Sequence, residues 1–384
     1  MHSSLSSFSS PAFDNRYDGR FRQSRPPPHE RVDPLFPRHM KEKPGDPKAT
    51  KEVEGMQRTY PTVDPVECPS FPDPDYPRAY PVLDVLKNWP PDSPTARPDR
   101  IHQQLCTFDY GDVDQREAAL RYQEAEVPFI VRGVPDLDEA VLRWGGDGYL
   151  EEMFGGQEFK VEYSENNHFM YWRSMSKRQM LDFKPPTSMV DMTYPAWLSK
   201  ALTSPASPAS PHWYFRASGC SSAPGQGCPP PNFERLFEEL PIFQPLDSLF
   251  VVDPTQQRGI HCRFGMEGII AENHFDGARN FVALIGGERR YILGHPSNCP
   301  TMSLLPKEHP SGRHSEVDWS DPDLEKFPSF PATRVNEVVL QPGHVLYLPT
   351  AWFHYIISLG VNYQCNTRSG KSAGYDDIIH DCGF

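Results

Sequence analysis

From Gly268 to Ser358 the chain is broken into apolar runs of strand length, each punctuated by turn formers. Gly268-Ile269-Ile270-Ala271 and Phe281-Val282-Ala283-Leu284-Ile285 are two such runs. Gly286-Gly287 fits a two-residue hairpin turn, with Arg289-Arg290-Tyr291-Ile292-Leu293 as the returning strand. Gln341-Pro342-Gly343 is a turn, Val345-Leu346-Tyr347-Leu348 a strand ended by Pro349, and Tyr355-Ile356-Ile357-Ser358 resumes β character. Closely spaced short strands of this kind suit an antiparallel barrel or jelly roll.

Two of these strands carry imidazoles. The first leads into His274-Phe275-Asp276, and Pro349-Thr350-Ala351-Trp352-Phe353-His354 precedes the last. A strand alternates its side chains, so His274 and Asp276 project to one side and can grip one ion together. His354 can close a triangular face from a separate strand. Two histidines and a carboxylate, with open positions opposite, form the facial triad of non-haem Fe(II) oxygenases. A bidentate 2-oxo acid would fill two of three vacant sites and O2 the third. A competing copy of the spacing, His314-Ser315-Glu316, follows the polar, turn-rich stretch Lys307 to Arg313 and reads as loop.

At these residues the chain resembles the JmjC-type, cupin-like (cupin-8) Fe(II)/2-oxoglutarate dioxygenases, and within them most nearly the asparaginyl hydroxylases that act on hypoxia-inducible factor. The resemblance runs from about Val127 to Gly370. It is strongest at Gly265–Phe281, Asp318–Pro328 and Pro342–Pro349, with weaker echoes at Val161–Ser164 and Asp182–Pro185. It implies a double-stranded β-helix (jelly roll) preceded by helical elements. It also implies iron ligation by His274, Asp276 and His354, and a 2-oxoglutarate pocket using Tyr163, Asn280, Arg289 and Asn366. Arg289 stands where the hydroxylases have lysine, and a bidentate guanidinium preserves the charge logic toward a distal carboxylate. Ala271 stands where they have threonine, so one hydrogen bond to the co-substrate is expected to be missing or replaced. Arg313 and His314 align with a substrate-side loop. Strand alternation puts Arg289 and Arg290 on opposite faces, so one of the two is expected to meet solvent, and the resemblance implies that Arg289 faces inward.

Composition bounds the rest. Of 43 prolines, 19 fall in the first hundred residues, and Met1 to about Tyr76 shows no sustained hydrophobic period, so it reads as a disordered Pro/Ser-rich tail. Residues 77–126 read as a linker with a helix at Arg116–Glu126, residues 127–370 as the dioxygenase domain, and 371–384 as a C-terminal tail. Within the domain, Val127–Gly133 reads as a buried strand. Leu137–Trp144, Gly148–Phe154, Met189–Leu202 and Phe233–Leu240 read as helices, with a kink or restart at Pro195. Residues 204–231 are expected to be a flexible insertion, and the barrel proper to begin near Leu249.

Residues 1–60 carry 11 Lys/Arg and 8 Asp/Glu, and the whole chain carries −13, which leaves −16 on the remainder. So acidic a globular part argues against direct nucleic-acid binding and tolerates a basic peptide or protein substrate. No apolar run is long enough to cross a membrane, and no secretory signal is visible. The eight cysteines then read as free thiols in a reducing, cytoplasmic or nuclear setting. C-terminal dimerisation helices of the hydroxylase kind are not expected after Gly370, and the oligomeric state is left open.

The function expected is that of an Fe(II)- and 2-oxoglutarate-dependent dioxygenase that uses O2 to hydroxylate, or demethylate, a protein side chain. The competing readings are a catalytically inactive cupin-like binding or scaffold module, and a metal-bound cupin with isomerase or other dioxygenase chemistry.

Overall fold

The computed structural model describes residues 62–63, 66–175, 180, 182–220, 231–244 and 249–384. Most of the proposed N-terminal tail, residues 1–61, lies outside them.

The described chain begins with β1 (Thr62–Val63), β2 (Tyr80–Pro81), α1 (Val82–Asn88), β3 (Arg100–Ile101), β4 (Thr107–Asp109), α2 (Val113–Glu124), β5 (Phe129–Arg132), α3 (Pro135–Trp144) and α4 (Tyr149–Phe154). It continues through β6 (Glu158–Ser164), β7 (His168–Phe169), β8 (Ser188–Thr193), α5 (Tyr194–Thr203), β9 (His212–Gly219) and α6 (Leu236–Glu239). Eight strands follow: β10 (Ile260–Gly265), β11 (Ile270–Phe275), β12 (Asn280–Gly286), β13 (Arg289–Gly294), β14 (Arg334–Leu340), β15 (Val345–Leu348), β16 (Phe353–Ser358) and β17 (Asn362–Arg368), before α7 (Asp376–Asp381).

Two sheets face each other. The larger has nine strands in the order β4-β5-β15-β12-β17-β10-β9-β6-β8, and the smaller has six in the order β2-β14-β13-β16-β11-β7. This is the mainly β, cupin-like jelly roll that the short strands imply. Alternation sorts each central strand. On β12, Phe281, Ala283 and Ile285 join the core shared with Phe129 and Phe250, while Val282 and Leu284 pack between the sheets against Tyr291, Leu293 and Val338.

Several local expectations are corrected. Gly286-Gly287 does not make a hairpin: β12 pairs with β15 and β17, whereas β13 pairs with β14 and β16. The turn passes the chain from one sheet to the other, and Gly287 takes φ 68°, a conformation that favours glycine. Residues 189–193 are strand rather than helix. The helix starts only at Tyr194, where the Thr193 hydroxyl accepts from the Ala196 N–H and Pro195, within the first turn, needs no donor. The stretch 204–231 is not simply an insertion, since β9 within it is a central strand of the larger sheet, paired with β6 and β10. Of that stretch, residues 221–230 lie outside the described residues. The boundary near Tyr76 is also displaced: β1 pairs with β3, and the Tyr76 hydroxyl donates to the Pro128 carbonyl at 2.7 Å.

The described cysteines are not free thiols. Cys68–Cys106, Cys262–Cys365 and Cys299–Cys382 are disulfides, Cys220 is also bonded, and no described cysteine is free. The reason at the barrel wall is register: Cys262 and Cys365 stand directly opposite on β10 and β17.

Candidate metal centre and carboxylate pocket

His274 on β11 and His354 on β16 are direct cross-strand partners, and their rings lie 4.2 Å apart. A bulge between Ala271 and His274 shifts the alternation of β11. Ile270 and Phe275 both reach the outer core, and His274 and Asp276 turn inward. One ligand atom from each of His274, Asp276 and His354 lies within 4.8 Å of the others, and among the described residues no other His, Cys, Asp or Glu group gathers in this way.

Each imidazole is oriented by a main-chain acceptor. His274 Nδ1 lies 2.7 Å from the Glu272 carbonyl, and His354 Nδ1 lies 3.0 Å from that of Trp352. A carbonyl can only accept, so Nδ1 carries the proton and the Nε2 lone pair is left for a ligand. Burial, then the neighbouring His354, presses the pKa of His274 down to about 3, and burial also lowers His354. Both rings are therefore neutral at physiological pH. Burial alone would raise Asp276, but Arg368 and the two imidazoles outweigh it and hold the carboxyl well below its usual range. Arg368 Nε and Nη2 both donate to Asp276 Oδ2, at 3.0 and 2.7 Å, which leaves Oδ1 for a metal. Two neutral imidazoles and one fixed carboxylate oxygen suit a divalent first-row ion.

The expected pocket residues separate. Asn366 Nδ2 donates to Asn280 Oδ1 at 2.9 Å, and Asn280 Nδ2 reaches Asp276 Oδ2 at 3.4 Å, so both asparagines adjoin the ligand carboxylate. Arg289 is 0% exposed and points between the sheets. Its Nε donates to Asn362 Oδ1, its Nη1 to Gln364 Oε1 at 2.7 Å and its Nη2 to the Arg263 carbonyl at 2.9 Å. These use three of five N–H groups, and no described carboxylate is within ion-pairing distance of it. Space for this head comes from Gly265, where a Cβ would collide with Ser358 Oγ and lie 3.2 Å from Arg289 Nη2.

Tyr163 is not brought to this group. It stands opposite Trp213 with its ring against that indole, on the same face of β6 as Phe159 and Val161. The tyrosine that faces inward is Tyr214, whose ring centroid lies 5.3 Å from the Arg289 guanidinium. Sequence reasoning missed Tyr214 because β9 was hidden between Pro/Ser/Gly-rich flanks. Arg290 does face away from Arg289, but neither meets solvent: Arg290 is 0% exposed and its Nε donates to Glu337 at 2.6 Å.

His314 is no remote loop residue either. It forms a bridge with His274, is 3% exposed, and stacks on the His274 ring at 4.8 Å. Arg313 beside it adopts φ 78°, and its carbonyl accepts from the Phe275 N–H.

The cupin-like domain family matches the chain over residues 115–368, about two-thirds of its length and nearly all of both sheets. The chain belongs to this JmjC-type family. It is similar to lysine-specific demethylase 8 of Xenopus tropicalis, 37% identical over 106 residues that span 27% of this chain and 24% of that protein. It is also similar to tRNA wybutosine-synthesizing protein 5 of Danio rerio, 30% identical over 150 residues that span 38% and 44%. A third relative is HSPB1-associated protein 1 of Rattus norvegicus, 37% identical over 82 residues that span 21% and 17%. The chain thus covers less than half the length of each. No described helix is long and apolar enough to cross a membrane.

Proposed function

We propose that this chain is an Fe(II)- and 2-oxoglutarate-dependent dioxygenase that oxidises a protein side chain, by hydroxylation or by demethylation through an N-methyl carbon. The observation that carries this reading is one interior that holds both a His274–Asp276–His354 ligand set and a buried, unneutralised Arg289. His274, Asp276 and His354 would hold the iron, which when bound supplies the redox chemistry toward O2. Arg289 would take the distal carboxylate of 2-oxoglutarate with its two unused N–H groups, beside Tyr214. Asn280 and Asn366 would orient the end nearer the metal. The jelly roll excludes water around these groups and fixes each by packing and hydrogen bonds from neighbouring strands. A protein substrate is favoured over nucleic acid by the −13 net charge, although one relative is named for tRNA modification.

A second reading, a cupin-like scaffold without turnover, draws on Arg289 already serving three protein acceptors and on the half-buried Ala271 offering no hydroxyl. Titrating 2-oxoglutarate into the metal-loaded full chain, and following succinate with Fe(II), O2 and protein extract, separates the two. Binding with succinate release supports the oxygenase. No binding and no succinate would establish the scaffold.

A further inference from the structure

The interior faces of β6, β9, β10 and β17 carry more cations than the proposed co-substrate needs. Arg216 on β9 is paired with Glu162 on β6 at 3.1 Å, and Glu162 also accepts from the Thr187 hydroxyl at 2.8 Å. Arg368 on β17 is paired with Asp276. Between these two satisfied pairs stands Arg263 on β10, directly opposite Arg216 on one side and Gln364 on the other. Among the described residues its side chain makes one hydrogen bond, from Nη1 to the neighbouring Cys262 carbonyl at 3.1 Å, and no described carboxylate lies within ion-pairing distance. Unlike Arg289 it is only partly buried, so a group arriving from solvent can reach it. Asn366 and Arg368 follow Gln364 on the same face of β17, so Arg263 shares its sheet face with the arginine that holds Asp276.

We propose that Arg263 is the centre of a substrate subsite that receives one carboxylate of an acidic side chain, next to the residue to be oxidised. This rests on the co-substrate reading above, in which Arg289 is already assigned. A lone guanidinium between two closed ion pairs is matched to a single planar carboxylate, which it can hold bidentately. The choice of an acidic protein segment over a polyphosphate follows from the net charge of −13, which repels a polyanion at long range while one recessed cation still captures one acid.

The test uses the full chain loaded with 2-oxoglutarate and a redox-inert divalent ion. Two fluorescent degenerate peptide pools, identical except for Asp/Glu in one and Asn/Gln in the other, are titrated by polarisation, with bulk tRNA as a third probe. The wild type is expected to bind the acidic pool about tenfold more tightly than the neutral one. Arg263→Gln should abolish that preference, Arg263→Lys should keep part of it, and both should bind 2-oxoglutarate within about twofold of wild type. Equal binding of the two pools, or a preference that survives Arg263→Gln, overturns the subsite. Loss of 2-oxoglutarate affinity in both variants reassigns Arg263 to the co-substrate and also overturns it. Tighter binding of tRNA than of the acidic pool, lost in Arg263→Gln, replaces the acidic protein with nucleic acid. Failure of the wild type to bind 2-oxoglutarate, with the acidic preference intact, sinks the co-substrate reading and not the subsite.

Discussion

Arg368 grips Asp276 by a single oxygen. Both Nε and Nη2 donate to Oδ2, and Asn280 approaches the same atom, so the carboxylate is turned with its other oxygen toward His274 and His354. The arginine touches no ligand position itself but sets the angle of the anionic one.

Arg368→Gln should therefore lower divalent metal affinity by about 10- to 100-fold while the barrel stays folded. Competition with a chelating dye measures this directly. Unchanged metal affinity would show that Asp276 orients itself.

His274→Ala, His354→Ala and Asp276→Ala should each remove stoichiometric Fe(II) binding, because a three-donor site has no spare donor. His314→Ala should retain the metal, since its ring stacks on His274 outside the ligand group. Metal analysis after gel filtration distinguishes them, and an iron-free His314→Ala protein would extend the ligand set.

Arg289→Ala and Arg290→Ala should fail in different ways. Loss of Arg289 should weaken 2-oxoglutarate binding by about 30-fold or more, as expected when a charge-assisted pair loses one member. Loss of Arg290 should instead destabilise the fold by about 3–5 kcal/mol, because Glu337, also 0% exposed, loses its guanidinium and keeps only the His102 N–H, at 2.7 Å, as a backbone donor. Calorimetric titration reads the first effect and chemical denaturation the second.

His168 should make stability pH-dependent. Burial works against its charged form, but the 2.5 Å contact to Glu272, reinforced by the charge of Glu272 and the more distant Asp318 and Asp92, raises its pKa from 6.5 to about 9. A raised histidine contributes fully below its unfolded value of 6.5, and the contribution is lost as pH rises through 9. Glu272 is itself raised by burial, which offsets part of the gain, so the window is set by His168. The stability difference between wild type and His168→Gln, on the order of 2 kcal/mol at pH 6, should shrink toward zero by pH 10. Paired denaturant curves across that range would show it.

The short runs between Gly268 and Ser358 were enough to read the jelly roll, and strand period was enough to pair His274 with Asp276. What escaped was every feature that depends on which strand lies beside which. Tyr163 and Tyr214 look equivalent until β6 and β9 are in register, and only then does one face the helices and the other Arg289. Arg368 is 92 residues from Asp276, and no local pattern links them. His314 sits in a turn-rich stretch whose bridge to β11 is a tertiary contact. Gly286-Gly287 carries the composition of a hairpin but serves a crossing between sheets, because partners were already supplied to β12 by β15 and β17.

Disulfide bonding of the described cysteines bears on how a ferrous site would be kept in service. A centre that slipped to the ferric state would find no thiol among the described residues able to return an electron. Its upkeep would fall to a small reductant from solution, and the guanidinium of Arg263 would favour an anionic one at the approach. Repeated turnover would then be set by that supply as well as by O2 and co-substrate.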